Sequence, residues 1–320
     1  MKAAIRTHYG SPDQIKIASL DIPAPKTDEV LVKIHATTVN RTDCANLTAK
    51  PFIMRFILGF SKPKQPIMGT DFAAEVLEIG KNVTEFKKGD KVMGFLDTGA
   101  ESQAEYASVS TKNLFPMPDN ISYTQAAASL EGAHYAYSFI QKVDIKPGQK
   151  ILINGASGAI GSALLQFVRQ YEVSIAATCH TKNMELIKSL GADKVYDYTS
   201  EDFTADTKAQ YDFVFDTVGK STFGKCKPIL SKNGVYISSE LGPYSQNVFL
   251  PLVTAISKKK VIFPIPFSTQ KTIPYITNLL QQGQFDPVID RAYTLDDIAQ
   301  AYTYVMTGQK TGNVIINLGE

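Results

Sequence analysis

Three glycines, Gly155, Gly158 and Gly161, form a GxxGxxG pattern suited to holding a phosphate group. They directly follow the apolar segment KILIN and directly precede the helical pattern AIGSALLQFV. Gly158 has no Cβ to keep a diphosphate from the backbone, and Gly161 lets the helix pack close to the strand. The free amides expected at the positive end of the helix dipole are those of Ser157, Gly158, Ala159 and Ile160. We therefore predict a dinucleotide site; the alternative is a glycine turn without a ligand.

The end of the next strand bears on which dinucleotide is bound. In NAD sites an Asp or Glu about 20 residues further on accepts a hydrogen bond from the ribose 2′-hydroxyl. The segment ATCHTKN, residues 177–183, contains no acid. The donors that it offers to a 2′-phosphate are Thr178, His180, Thr181 and Lys182. The sequence thus predicts NADPH, although His180 and Lys182 could also be solvated residues at a helix start.

The elements around this motif alternate between strand and helix from about residue 122. Ser122 is placed to cap a helix over TQAAASLEGAHYAYSFIQ. Short apolar strands such as VSIAAT, KVYDY and DFVFDTV then alternate with helices. This βαβαβ series predicts a parallel, doubly wound sheet that is covered on both faces.

The regions on either side of this unit have a different pattern. Before it, EVLVKIHATTV and several shorter segments alternate as half-buried strands do. After it comes a tail with too little apolar sequence to fold alone. We expect that tail to return to the N-terminal β-rich domain, giving a domain of residues 1–121 and 266–320 and an inserted domain of residues 122–265. The alternative is a third small unit.

The composition is that of an ordinary globular protein. The chain of 320 residues is 44% hydrophobic and 20% charged, with a net charge of +2, so nothing favours a nucleic-acid partner. The longest apolar run, FIMRFILGF, is short and contains Arg55, so we expect no membrane span. The three scattered cysteines form no CxxC pair, which favours a reducing cytoplasm over disulfides or a cysteine-based zinc site.

Across nearly its whole length, the sequence resembles the medium-chain dehydrogenase/reductase superfamily, in its zinc-free quinone oxidoreductase-like (zeta-crystallin-like) branch. The segments that carry the resemblance are NRTD, GTDFAAEV, GDKVMG, AEY, KPGQKILINGASGAIG, KSLGADKVYDY, FDTVG and TGNVIINL. The resemblance implies an α/β fold, in which a β-rich GroES-like catalytic domain holds an inserted Rossmann domain.

The resemblance also implies a site without metal. Zinc-containing members carry a catalytic Cys where this chain has Asn40, and GHE where it has GTD at residues 69–71. The four-cysteine structural zinc lobe is missing as well. The thiolate and imidazole ligands that zinc requires are therefore absent from these positions.

Further site residues follow from the resemblance. Asn40 and Asp43 are expected near the nicotinamide and the acceptor, where Asn40 could hydrogen-bond a carbonyl and Asp43 could order the loop; either could instead be structural. Tyr135 stands where many relatives have a Thr that contacts the nicotinamide. Tyr198 matches a position that helps to hold the 2′-phosphate, and Val218 is expected to pack near a ribose.

A metal-free site is suited to the reduction of electron-poor acceptors. Without a Lewis acid, hydride transfer to a quinone or an α,β-unsaturated carbonyl is easier than alcohol oxidation. The apolar segment at 50–66 is either a wall or lid over a lipophilic acceptor or a packed surface helix. VIFPIPF, residues 261–267, is expected to form an edge strand for a homodimer. The competing functions are a zinc-free carbonyl reductase and a non-catalytic NADPH-binding redox sensor.

Overall fold

A computed structural model describes residues 1–265 and 268–319. The chain divides into two compact units, one of residues 1–131 and 269 onward, the other of residues 132–268. The middle of the sequence thus forms a unit of its own between two segments that belong together. Residues 266 and 267, at the end of the predicted edge strand VIFPIPF, lie outside the described residues.

The strands of the described chain are β1 (Lys2–Ile5), β2 (Lys16–Ser19), β3 (Glu29–Val39), β4 (Asp71–Ile79), β5 (Lys91–Phe95), β6 (Tyr106–Ser110), β7 (Leu114–Pro116), β8 (Lys150–Asn154), β9 (Ser174–Cys179), β10 (Lys194–Asp197), β11 (Tyr211–Asp216), β12 (Leu230–Ser238), β13 (Lys260–Ile262), β14 (Ile289–Thr294) and β15 (Asn313–Asn317). The helices are α1 (Arg41–Thr48), α2 (Met54–Leu58), α3 (Tyr123–Ala128), α4 (Glu131–Ile140), α5 (Ala159–Val168), α6 (Met184–Ser189), α7 (Phe223–Cys226), α8 (Gln246–Thr254), α9 (Thr269–Gln281) and α10 (Ile298–Met306).

The first unit is built on a largely antiparallel sheet. Its strand order is β14-β15-β3-β4-β5-β7, and β6 also pairs with β3. The returning tail supplies β15, which pairs antiparallel with β3, and β14, which pairs parallel with β15. One buried cluster joins Leu47 of α1 and Val39 of β3 to Tyr302 of α10 and Val314 of β15. This packing holds α1, the helix that begins within the NRTD segment.

The second unit contains the predicted parallel sheet. Six parallel strands run in the order β10-β9-β8-β11-β12-β13. This 3-2-1-4-5-6 order is that of a doubly wound dinucleotide fold, whose ligands bind at the carboxyl ends of the strands. The predicted α/β class, with a β-rich unit and a doubly wound parallel sheet, is confirmed.

The helix predicted after Ser122 is two helices. Ser122 caps α3 as predicted, since its hydroxyl accepts from the Gln125 amide while the Gln125 side chain accepts from the Ser122 amide. The helix ends at Ala128, and the hydroxyl of its C-cap residue Ser129 donates to the carbonyl of Gln125 at 2.6 Å. Because α3 contacts β3, β4 and β15, it belongs to the first unit, and the division falls at 131/132 rather than at 121/122.

No helix within residues 1–265 and 268–319 is long and apolar enough to cross a bilayer.

Candidate active site

The glycine motif forms the turn between β8 and α5 in the second unit. Gly155 has φ of +83°, a conformation that L residues rarely adopt, and a Cβ there would lie 2.5 Å from the side chain of Val218. A Cβ on Gly161 would lie 2.3 Å from the carbonyl oxygen of Gly155, so only glycine permits this approach of helix and turn. On Gly158, in contrast, a Cβ would meet only the Gly155 oxygen, at 3.6 Å. The space beside Gly158 is therefore open to a ligand.

The start of α5 carries uncapped amides. Gly158 is the N-cap residue, and no side chain caps the helix. Within the described chain, the amides of Ser157, Ala159 and Ile160 make no hydrogen bond. The amide of Gly158 differs from the prediction, because it donates to the carbonyl of Gly155 at 3.2 Å. Three of the four predicted amides thus point from a helix N-terminus without a partner, which suits an anion.

A buried network of side-chain hydrogen bonds supports this turn. Thr178 is fully buried at the end of β9; its hydroxyl accepts from the Gly155 amide at 3.0 Å and donates to Asn154 at 2.7 Å. Asn154 in turn donates to the Asp216 carboxylate at 3.0 Å, which also accepts from Tyr236. The prediction that Thr178 contacts the 2′-phosphate is corrected here. Its side chain is fully buried, and its hydroxyl already accepts one hydrogen bond and donates another inside the protein.

The other residues predicted for the 2′-phosphate gather at the ends of β9 and β10. Lys182 is exposed and Tyr198 is 51% exposed, while the rings of His180 and Tyr198 meet edge-on with centroids 6.0 Å apart. Thr181 lies with them, but its hydroxyl donates to the carboxylate of Asp197.

Asp197 is a residue of this region that the sequence analysis missed. Its carboxylate accepts hydrogen bonds from the Thr181 hydroxyl and from the hydroxyl and amide of Thr199. These bonds lower the pKa of Asp197 to about 2, so it is ionised at neutral pH. The sequence shows only that Asp197 stands in the strand segment KVYDY; the pairing of β10 with β9 brings it to this region. A negative charge therefore lies within the group of donors predicted to hold a phosphate.

Asn40 and Asp43 begin α1 in the first unit, and both are buried. The Asn40 side chain accepts from the Asp43 amide at 2.8 Å, and Asp43 accepts from the Asn40 amide at 3.0 Å. The Asn40 Nδ2 group donates to the Thr70 hydroxyl at 2.8 Å and lies 3.3 Å from Asp71 Oδ2. Asn40 is therefore the cap of a helix, and its amide group is already hydrogen-bonded within the protein.

Carboxylic acids with raised pKa surround this helix start. Burial, together with the charge of Asp71, raises the pKa of Asp43 well above its usual value, and burial raises the pKa of Asp71 to about 7. Glu131, which the sequence analysis missed, accepts from the Thr42 hydroxyl at 2.9 Å, and burial raises its pKa too. Its signal was a lone acid within the apolar run AAASLEGA. The region can hold protons at neutral pH.

Tyr135 lies on α4 in the second unit. It is half-buried, and its ring meets that of His134 edge-on with centroids 5.6 Å apart. Its contact with a nicotinamide stays a prediction.

An aromatic surface is exposed around α2 in the first unit. Phe52, Phe56 and Phe60 are 60%, 66% and 64% exposed, and their rings meet edge-on at about 6 Å. Because α2 buries Leu58 while these three rings are exposed, the segment contains a surface helix that packs only in part. A wall or lid over an acceptor stays a prediction.

Comparison with known proteins identifies the family. Residues 26–119 match the family model described as alcohol dehydrogenase GroES-like domain, and residues 190–316 match the one described as zinc-binding dehydrogenase. The chain is 31% identical to a quinone-oxidoreductase homolog of Spinacia oleracea, over 96% of this chain and 95% of the relative. It is 30% identical to an NADPH-dependent alkenal/one oxidoreductase of Arabidopsis thaliana, over 99% and 79%.

A solved structure, the quinone oxidoreductase from Coxiella burnetii, superposes with a TM-score of 0.89 at 24% identity and covers 99% of both chains. This likeness supports the fold that the strand order shows. The chain belongs to the quinone oxidoreductase-like branch of the medium-chain dehydrogenase/reductase superfamily, and it is an oxidoreductase of that family.

Proposed function

We propose that this protein is an NADPH-dependent, zinc-independent reductase of quinones or α,β-unsaturated carbonyl compounds. The observation that carries the proposal is the open helix N-terminus at Gly158, where a Cβ-free backbone and three unpartnered amides suit a diphosphate. Two relatives, named for quinone and for NADPH-dependent alkenal/one reduction, support the same chemistry.

A reduced nicotinamide supplies hydride, that is, two electrons and one proton. With an enone, hydride adds to the β-carbon, the C=C electron pair moves toward the carbonyl oxygen, and the α-carbon then takes a proton. Water or a nearby acid supplies that proton. The chain's part is to bind the dinucleotide at the β8–α5 turn, to orient the acceptor and to exclude water.

We propose that no zinc takes part, although one matching family model is described as zinc-binding. Where zinc relatives have a Cys and a His, this chain has Asn40 and Thr70, which hydrogen-bond to each other. An amide and a hydroxyl do not fit a zinc site, which takes thiolate, imidazole or carboxylate ligands. The described residues contain no group of three or more His, Cys, Asp or Glu placed to hold a metal. Metal analysis of active protein should find no stoichiometric zinc.

The choice of NADPH rests on Lys182, His180 and Tyr198. The ionised Asp197 carboxylate would repel a 2′-phosphate, but hydrogen bonds from Thr181 and Thr199 occupy its oxygens. We expect Lys182→Ala to weaken NADPH roughly tenfold, about 1.4 kcal/mol, and to leave NADH unchanged, because only NADPH carries the 2′-phosphate. Lys188→Ala is the matched control, since Lys188 is exposed and paired with Glu185. Equal losses for the two cofactors would contradict the assignment.

A panel of acceptors tests the reaction itself. NADPH oxidation is followed with phenanthrenequinone, an alkenal and a simple aldehyde, with and without a chelator. Turnover of the quinone or alkenal that survives the chelator supports the proposal. Preference for the simple aldehyde would favour the carbonyl reductase. Tight NADPH binding without turnover of any acceptor would favour the redox sensor.

We further propose a cytoplasmic homodimer. β13 lies at the edge of the parallel sheet, and neighbouring α8 exposes Phe249, Leu252 and Val253. Such an apolar surface beside an open strand edge suits a second copy of the chain. The cysteines of the described chain are free, as a reducing compartment requires. Leu252→Glu should shift the protein toward monomer in light scattering; an unchanged mass would contradict this interface.

A further inference from the structure

A cavity of about 300 Å³ opens in the first unit beside α1. Arg6 from the start of the chain, Asp43 and Asn46 from α1, and Tyr302 from α10 line its polar side. Leu58 and Met68 line its apolar side. All of these residues belong to the same compact unit, so one unit supplies the whole cavity.

Three buried polar atoms around this cavity have no hydrogen-bond partner. They are Arg6 Nε, Asp43 Oδ1 and Asn46 Oδ1, on side chains that are 6%, 1% and 5% exposed. A buried polar group without a partner costs about 1–3 kcal/mol, so three around one cavity need an explanation. Asp43 and Asn46 are three residues apart on α1 and therefore share a face of the helix.

Arg6 gives the strongest indication of a ligand. Within the described residues its guanidinium makes no hydrogen bond and no ion pair; its nearest aromatic contact is the Tyr9 ring, 5.8 Å from the centroid. The charge of Asp43 in the same lining opposes the lowering of the Arg6 pKa by burial, but no partner hydrogen-bonds to Arg6 Nε. Guanidinium is the side chain best shaped to bind carboxylate or phosphate. Lys64 adds a second cation to the lining. The charge of the cavity thus favours an anion.

The remaining two atoms specify a second feature of the ligand. Asn46 Oδ1 is an acceptor, so the ligand needs a donor as well as a negative group; Asp43 Oδ1 accepts when its carboxyl is ionised and donates when it is protonated. Because burial and Asp71 raise the pKa of Asp43, its carboxyl repels an anion less than an exposed carboxylate would. An α-hydroxy carboxylate or a phosphate monoanion carries both the negative acceptor and the hydroxyl donor.

We propose that this cavity binds a small hydroxylated anion, whose charged oxygens accept from Arg6 and whose hydroxyl donates to Asn46 Oδ1. Leu58 and Met68 accommodate a short carbon chain beside the polar groups. The proposal goes beyond the proposed function because its ligand is neither the hydride acceptor nor the dinucleotide, although the cavity shares Asp43 with the residues expected near the acceptor.

Calorimetric titration of the full chain without NADPH tests the site, with lactate, propionate and inorganic phosphate as probes. We expect lactate or phosphate to bind, propionate to bind several-fold more weakly because it has no hydroxyl, and Arg6→Met to weaken binding about tenfold or more. Lys62→Met is the control, because Lys62 is exposed, lies between the lining residues Leu58 and Lys64 in the sequence, and does not line the cavity. Its binding should match the unmodified protein.

A second variant keeps the test decisive if Arg6→Met fails to fold. Asn46→Leu removes an acceptor and should bring the lactate affinity down toward that of propionate. Two results would overturn the proposal: equal binding by the folded Arg6→Met and unmodified proteins, or no binding of any probe, which would mean that the cavity holds water only. NADPH titration of the same samples reports separately on the dinucleotide site.

Discussion

Replacing Thr178 with Val tests how the protein positions its phosphate-binding turn. Val has nearly the shape of Thr but neither donates nor accepts, so it leaves the Gly155 amide and Asn154 Oδ1 without their partner. Each stranded buried group costs about 1–3 kcal/mol. We therefore expect a loss of about 3 kcal/mol in the free energy of unfolding, which lowers Tm at roughly 2–4 °C per kcal/mol.

Thr178→Val should also weaken cofactor binding, because the Gly155 amide that loses its partner is at the beginning of the phosphate-binding turn. We expect NADPH to bind at least several-fold more weakly in fluorescence titration, and Thr178→Ser, which keeps the hydroxyl, to restore most of both losses. Thr303→Val is the control; Thr303 is exposed on α10, and its hydroxyl donates to the Ala299 carbonyl one turn earlier. If Thr178→Val matched the unmodified protein in Tm and NADPH affinity, the supporting role of Thr178 would be refuted.

Three further changes have distinct expected results. Gly161→Ala places a Cβ against the Gly155 carbonyl and should cost about 1–3 kcal/mol in stability as well as weaken NADPH binding. Gly158→Ala should leave Tm unchanged and weaken only NADPH binding. Equal losses of Tm in the two variants would contradict this. The raised pKa of Asp71, about 7, means that the folded protein binds this proton more tightly than the unfolded chain, so stability is lost as pH rises from about 4 to 7. Asp71→Asn should remove that part of the pH dependence in thermal melts. Phe56→Ser should raise KM for a lipophilic quinone, while Ile79→Ser, at an exposed apolar residue that ends β4, should not.

The sequence predicted those features that depend on local pattern. The alternation in EVLVKIHATTV gave β3 at residues 29–39, and the spacing of Gly155, Gly158 and Gly161 gave a turn whose close packing the structure shows. Ser122 was correctly predicted as a helix cap because its hydrogen bond spans only three residues.

The features that were missed depend on contacts between distant segments. In the sequence, Thr178 is a polar residue near the end of a strand. The neighbouring residues do not reveal that its hydroxyl points into the protein and donates to Asn154. Asp197 becomes part of the candidate 2′-phosphate region only because β10 pairs with β9. Arg6 and Asn46 lie 40 positions apart along the chain and meet only when β1, α1 and α10 pack together.

The most direct test of the central claim is a crystal structure of the protein with NADPH. We expect the diphosphate oxygens to lie within about 2.7–3.2 Å of the amides of Ser157, Ala159 and Ile160, with the 2′-phosphate beside Lys182. A dinucleotide bound away from the β8–α5 turn, or no bound dinucleotide at saturating concentration, would contradict the account.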